Sequence, residues 1–236
     1  MLEMKLSLPF VGREKEIGWL RQLHKQRKHV LILGPEGVGK SALIAHLRES
    51  FRLRVCPASE RLSEICEALE REFDLEAGEL HLVRRKNRLL KALKGTTCVV
   101  VFDGVRWTTP KISSFFDCVS QHVPVWIVSR FEHAWDLGHF WQFLWKFKRV
   151  ELLPFHTADT RALMEAAVDT GQIPAAALDV VERLHHFSAG NPQVLCELLD
   201  GLAGGRYNPH KLFGLKLLDL DRRIKQLNVT ATPLHA

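Results

Sequence analysis

Short apolar runs and longer amphipathic stretches take turns along the first two thirds of the chain. The runs "KHVLILG" (28–34), "LRVCP" (53–57), "TTCVVVFD" (96–103), "VPVWIVS" (123–129) and "KRVELLP" (148–154) are rich in Val and Ile and show little polar alternation, which predicts strands covered on both faces. Between them, residues 14–26, 40–51, 60–73, 79–94, 111–122 and 131–147 carry apolar positions at helical spacing, each with one inward face. Parallel strands need crossover connections, so this alternation predicts an α/β fold with a parallel sheet sandwiched by helices. After "LLPF" the strand signals cease. "HTADTRALMEAAVDTG", with Thr157 as a predicted N-cap and Gly171 as its stop, and "PAAALDVVERLHHFSAG", "PQVLCELLDGLAGG" and "NPHKLFGLKLLDLDRRIKQL" predict a small helical domain. The expected division is 1–154 for the α/β domain, 155–227 for the helical domain and 228–236 for a flexible tail.

Composition narrows the class without naming the chemistry. The 236 residues are 46% hydrophobic and 25% charged, a globular balance that argues against disorder. A net charge of +6 and a pI near 9.2 favour anionic partners: nucleotides, nucleic acid or an acidic protein surface. The five cysteines form no C-x-x-C pair, and the twelve histidines show no zinc-type spacing, so reduced core thiols and a cytoplasmic location are expected. No run reaches the roughly 18 apolar residues of a membrane span.

Candidate chemistry concentrates at "LILGPEGVGKSALI", residues 31–44. Gly34, Pro35, Glu36, Gly37, Val38, Gly39, Lys40 and Ser41 satisfy G-x-x-x-x-G-K-[ST], and the match falls after a buried strand and before a helix that continues through Ala42. Glycines let successive N–H groups face a phosphate, and the helix start adds the positive end of its dipole. Lys40 is then expected to reach the β- and γ-phosphates, and Ser41 to help hold Mg2+. "CVVVFDGV" ends a second strand in Asp103, the expected partner for the same metal. Where many hydrolysing proteins carry a second acid, Gly104 follows.

These residues resemble the AAA+ and STAND groups of P-loop ATPases, including their NB-ARC, archaeal ATPase-like and origin-recognition-like branches, from about Pro9 to Ala203. "FVGREKEIGWL" looks like the amino-terminal V-G-R-E box, and the resemblance implies that Val11, Gly12 and Arg13 lie by the adenine. "VVVFDGVRW" is similar to the acidic strand, keeping Asp103 and Trp107 but losing the second acid. "VWIVSR" is similar to the sensor strand, which implies that Ser129 or Arg130 faces the γ-phosphate. "SAGNPQVLCELL" resembles the lid motif that places Gly190 and Pro192 over the base. The resemblance implies ATP or ADP with Mg2+ as ligands. The winged-helix and repeat sensor domains of large STAND proteins have no counterpart, so either a separate subunit receives the signal or the chain is a fragment.

Two surfaces stay outside these motifs. "RRKNRLLKALK" (84–94) places Arg84, Arg85, Lys86, Arg88, Lys91 and Lys94 opposite an expected stripe of Leu82, Leu89, Leu90 and Leu93, either a solvated face or, through Arg84, Arg85 and Arg88, a nucleic-acid track. The aromatic stretch from Phe131 to Phe147, read as a helix, holds too many rings for one inward stripe. It is an expected site of self-assembly or of a protein partner; the resemblance to AAA+ ATPases implies Arg130 or Arg149 as a finger in trans, and Glu132 and Asp136, after the sensor strand, are candidates to orient water. Three functions remain open on this reading: a nucleotide-dependent switch working through lid closure with slow or partner-stimulated hydrolysis, an ATP-dependent DNA-binding helper of origin-recognition or transposition type, and a nucleotide-binding scaffold without turnover.

Overall fold

The computed structural model describes residues 6, 8–75, 81–130, 133–205, 207 and 211–230. These divide into two compact units, one running from Arg13 to Leu153 and one that joins the described residues up to Gly12 with those from Pro154 onward.

The first unit is built on a five-stranded sheet: β1 (His29–Leu33), β2 (Leu53–Pro57), β3 (Val99–Val105), β4 (Val125–Ser129) and β5 (Phe147–Glu151), in the order β2-β3-β4-β1-β5. Every pairing is parallel, as the alternation of strands and crossovers requires. The strands are flanked by α1 (Glu14–Lys25), α2 (Lys40–Arg48), α3 (Leu62–Glu72), α4 (Leu82–Leu93) and α5 (Pro110–Ser120). Val30, Leu31, Ile32, Val100, Val101, Phe102, Trp126 and Ile127 are fully buried, which explains why β1, β3 and β4 read as unbroken apolar runs. On β5 only Phe147 and Val150 are buried, the pattern of an edge strand. The order puts β4 between the glycine-loop strand β1 and the acidic strand β3. It therefore brings "GPEGVGKS", Asp103 and Ser129 to one end of the sheet.

Residues 131–147 differ from the helix expected there. Phe131 and Glu132 lie outside the described residues; from Ala134 the chain makes two 3-10 segments, Ala134–Leu137 and His139–Lys146, and β5 starts at Phe147. Gly138 separates the segments at φ 62°, ψ −138°, outside the range that continues a helix. It is held against the loop after β3: His139 N–H donates to the Thr108 carbonyl at 3.1 Å, Phe140 N–H to Thr108 Oγ1 at 3.0 Å, and Thr108 Oγ1 donates to the Leu137 carbonyl. Satisfying these buried polar groups overrides the helical pattern.

The second unit contains α6 (Thr157–Asp169), a 3-10 turn (Ala175–Val180), α7 (Val181–Ser188), α8 (Pro192–Ala203) and α9 (Leu212–Thr230) around Leu163, Met164, Leu184, Leu195, Leu198 and Leu199. The cap of α6 is His156 rather than Thr157, in a capping box with Asp159, whose Oδ2 accepts from His156 N–H at 2.9 Å. Leu6 and Leu8 pack against this core, and Leu6 N–H donates to Asp200 Oδ1 at 2.8 Å. Helix α9 continues to Thr230, past the expected start of the tail at 228; residues 231–236 lie outside the described residues. The five cysteines are free, and burial pushes the thiol of Cys56 up to about 12 and those of Cys66 and Cys196 up to about 11. No helix among the described residues is long and apolar enough to cross a membrane.

Candidate functional site

Strand β1 ends where the chain can no longer carry a side chain. Gly34 stands at φ +140°, and a Cβ there would collide with the Leu152 carbonyl oxygen. Gly37 and Gly39 follow at φ 77° and 95°, left-handed conformations that cost a glycine little and an ordinary residue much. Gly39 is the N-cap of α2 and offers no capping side chain. The positive end of α2 is thereby left open toward the loop, the geometry that receives an anion.

The loop is braced from within its own unit. Arg13, 9% exposed, adopts a left-handed φ of 71° just before α1 and sends Nη2 to the Val38 carbonyl at 3.0 Å, while Nη1 meets Glu16 Oε1 at 3.3 Å. Lys40 is 8% exposed, and its ammonium donates to the carbonyls of Gly34 at 2.5 Å and Pro35 at 2.7 Å. Its charge sits inside the loop's curve rather than in solvent. Pro35 is half-buried, Val38 is buried, and Glu36 and Ala42 are exposed on the rim.

The second strand end meets the first through an oxygen pair. Ser41 Oγ donates to Asp103 Oδ1 at 3.1 Å across the width of β4. A hydroxyl and a carboxylate at this separation are the kind of oxygen ligands Mg2+ takes when phosphates and waters complete its shell. No group of three or more His, Cys, Asp or Glu side chains placed to hold a metal ion is present among the described residues.

Gly104 is more than a missing acid. The pairing of β3 with β4 slips between Asp103, opposite Val128, and Val105, opposite Ser129, so Gly104 is the extra residue of a bulge at φ +80°. A Cβ there would lie 3.3 Å from Nε of Arg130. Ser129 is fully buried at the end of β4, and Arg130 next to it is exposed, its guanidinium over Gly104 in the same chain. Arg149, the other candidate finger, is exposed on β5, and Asp136 is half-buried in the first 3-10 segment.

The remaining expected site residues belong to the helical unit. Val11 packs against that unit's core, and Gly12, at φ +72°, has Asp159 and Phe155 as neighbours. Gly190 lies so close to the Phe155 backbone that a Cβ would collide with its carbonyl oxygen, and Phe155 N–H donates to the Gly190 carbonyl at 2.7 Å. Pro192 opens α8 behind Asn191, whose Oδ1 accepts from the N–H groups of Gln193 and Val194. On α4 the arginines separate: Arg84 is exposed, whereas Arg85 and Arg88 turn onto Glu70, itself 3% exposed, at 3.2 and 2.6 Å, and Arg85 also meets Glu67 at 2.8 Å. Leu89 and Leu93 form the buried stripe, and Leu82 is exposed. Arg106, three residues beyond Asp103 and just past the end of β3, is exposed at the same end of the sheet.

The model of the AAA ATPase domain matches residues 9–207. No curated protein matches the sequence significantly. Among solved structures, the fold is similar to the Orc1 protein of Aeropyrum pernix, solved in complex with DNA (TM-score 0.63, 16% identity, 99% of this chain and 72% of that one). It is similar to Cdc6p of Pyrobaculum aerophilum (0.69, 15%, 86% and 64%) and to a STAND protein with a tetratricopeptide repeat sensor from Pyrococcus horikoshii (0.54, 14%, 91% and 32%). The chain thus spans less than two thirds of the latter two. A domain model covering most of the sequence, over a parallel sheet with a glycine loop and an acidic strand at one end, makes this chain a member of the AAA ATPase domain family of P-loop ATPases.

Proposed function

We propose that the chain binds ATP with Mg2+ at the loop from Gly34 to Ser41 and acts as a nucleotide-dependent switch whose turnover is slow or depends on a partner. The observation that carries this reading is the contact of Ser41 with Asp103 at 3.1 Å beside a buried Lys40. Gly34, Gly37 and Gly39 keep side chains away from the phosphates, Lys40 neutralises their charge, and Ser41 with Asp103 holds the metal. Bound Mg2+ would supply Lewis-acid stabilisation of charge on the phosphate oxygens. Lys40 would exchange the carbonyls of Gly34 and Pro35 for phosphate oxygens, a stronger pairing because both partners are charged. Ser129 and Arg130, at the end of β4, are the residues proposed to sense the γ-phosphate.

A switch needs contacts present in one nucleotide state and absent in the other. Only the triphosphate would reach Arg130, and the helical unit, with Gly190 and Pro192, is the element proposed to respond. Gly104 offers no carboxylate to polarise water, which supports slow turnover and suits a device that holds its ligand. Calorimetry with Mg·ATP tests the site: Lys40→Ala is expected to weaken binding about 100-fold, corresponding to about 3 kcal/mol for a lost charge-assisted contact. Unchanged affinity in that variant rejects it. Phosphate release from the chain alone at about 1 per second or faster, the range of ordinary enzyme turnover, would reject the slow-turnover part.

A DNA-binding helper is the second reading, favoured by the likeness to Orc1, which was solved with DNA. Its expected track is weakened by the engagement of Arg85 and Arg88 with Glu70, leaving Arg84 as the exposed one of the three. A salt-sensitive, ATP-dependent gel shift lost in Arg84→Ala would favour this reading.

A further inference from the structure

At the carboxyl ends of β2 and β3 lies a cleft of about 230 Å³ lined by Ser59, Glu60, Gly104, Arg106, Trp107 and Arg130 among others. Its floor is the bulge at Gly104, the one position along this edge of β3 where a side chain is absent and where φ +80° selects for that absence. Arg106 and Arg130 are both exposed, and neither has a carboxylate partner among the described residues. Glu60 shares the cleft without pairing with either arginine. Two arginines lining one open hollow are a ready receptor for an oxyanion, and the planar fork of the guanidinium suits a carboxylate.

The geometry points to a carboxylate-binding site: the cleft receives an Asp or Glu side chain from another protein molecule and so places over Gly104 the acid that this chain's own strand does not carry. Several observations select this occupant. The charge on the walls repels an arginine finger from a neighbouring subunit and attracts its opposite. The arginines of α4 that could form a phosphate track, Arg85 and Arg88, are already bound to Glu67 and Glu70. Beside it stands a surface suited to hold a protein. Trp107 packs over Gly138, and Trp135, Trp141 and Trp145, on the segments either side of Gly138, are 69%, 63% and 80% exposed. An exposed aromatic residue lining a charged socket, with further exposed tryptophans on the segments that pack beside it, has the anatomy of an interface with an anchoring contact.

The inference shares Arg130 with the nucleotide reading but rests on the cleft and on Arg106, so its test contains no nucleotide and its failure is distinguishable from failure of the nucleotide site. A fluorescein-labelled hexaglutamate peptide is titrated with the full chain and followed by anisotropy. Saturable binding is expected, weakened about tenfold by Arg106→Ala, the loss of one charge-assisted contact, and unaffected by Arg84→Ala, an exposed arginine elsewhere. Gly104→Asp and Gly104→Asn impose the same backbone strain, but only Asp brings its own carboxylate to Arg130. Loss of peptide binding in the Asp variant and retention in the Asn variant is expected. Equal binding in wild type and Arg106→Ala, or equal weakening by Arg84→Ala, would overturn the site as a specific receptor. Displacement of the peptide by inorganic phosphate or by labelled oligothymidylate more readily than by free glutamate peptide would overturn the carboxylate in favour of a phosphate ligand.

Discussion

The carboxyl ends of β1 and β3 lie two strands apart in one sheet, and both turn on glycines with positive φ, yet they handle positive charge in opposite ways. At β1, Lys40 is buried and its ammonium is clasped by the carbonyls of Gly34 and Pro35. At β3, Arg106 and Arg130 stand exposed around a cleft that also holds Glu60, and neither pairs with a carboxylate among the described residues. The glycines differ in kind as well. Gly34 faces the rigid backbone of Leu152, whereas Gly104 faces only the movable end of Arg130. The first end is a finished cradle set by backbone. The second is a socket whose remaining part comes from outside.

Substitution at the two glycines is the sharpest way to break this comparison. Gly34→Ala is expected to destabilise the chain by more than about 1 kcal/mol and to abolish Mg·ATP binding, because the colliding carbonyl belongs to the main chain beside β5 and cannot step aside; thermal melting and calorimetry check both. A fully stable, ATP-binding Gly34→Ala would show that the loop is not backbone-determined. Removing the brace comes next. Arg13→Ala is expected to lower Mg·ATP affinity about tenfold with the melting temperature changing less than in Gly34→Ala, since Arg13 holds the Val38 carbonyl without forming the loop itself. Equal affinities would reduce Arg13 to a structural ion pair with Glu16. At the second end, Gly104→Asn is expected to cost only about 1 kcal/mol and to leave Mg·ATP binding intact, Asn being among the residues that tolerate left-handed φ.

The smallest effect expected is a pH dependence at the start of β1. Val125 N–H donates to His29 Nδ1 at 3.0 Å, which needs the neutral ring. Burial, followed by the Lys146 charge, holds His29 below its ordinary 6.5, with Asp117 opposing, and burial and Arg27 lower His24 likewise. A depressed histidine contributes stability that is present above the unfolded value and is lost as pH falls through the folded one. The melting temperature is therefore expected to decline as pH drops below about 6.5, with the decline reduced in His29→Gln. An unchanged slope in that variant would place the dependence elsewhere.

Much of the α/β unit could be read before any coordinates. β2 occupies the predicted residues 53–57, and α1 and α2 start at the predicted Glu14 and Lys40. The glycine loop could be read too, because its conformation depends on residues adjacent in sequence. Residues 131–147 could not, because Gly138 and Thr108 decide that segment from outside it. Nor could the fate of the α4 arginines, which depends on Glu67 and Glu70 of a different helix.

What the sequence determined by itself was local: buried strands from unbroken apolar runs, helices from apolar positions at helical spacing, and a loop without side chains from glycine spacing, since each follows from steric and hydrogen-bonding preferences within a few residues. Tertiary structure decided which charges are satisfied and which are offered. It turned Arg13 onto Val38, Arg88 onto Glu70 and Ser41 onto Asp103, and gave Arg106 and Arg130 no carboxylate partner among the described residues. Electrostatic pairing depends on distances between elements remote in the chain, and those distances exist only once the sheet order has been set.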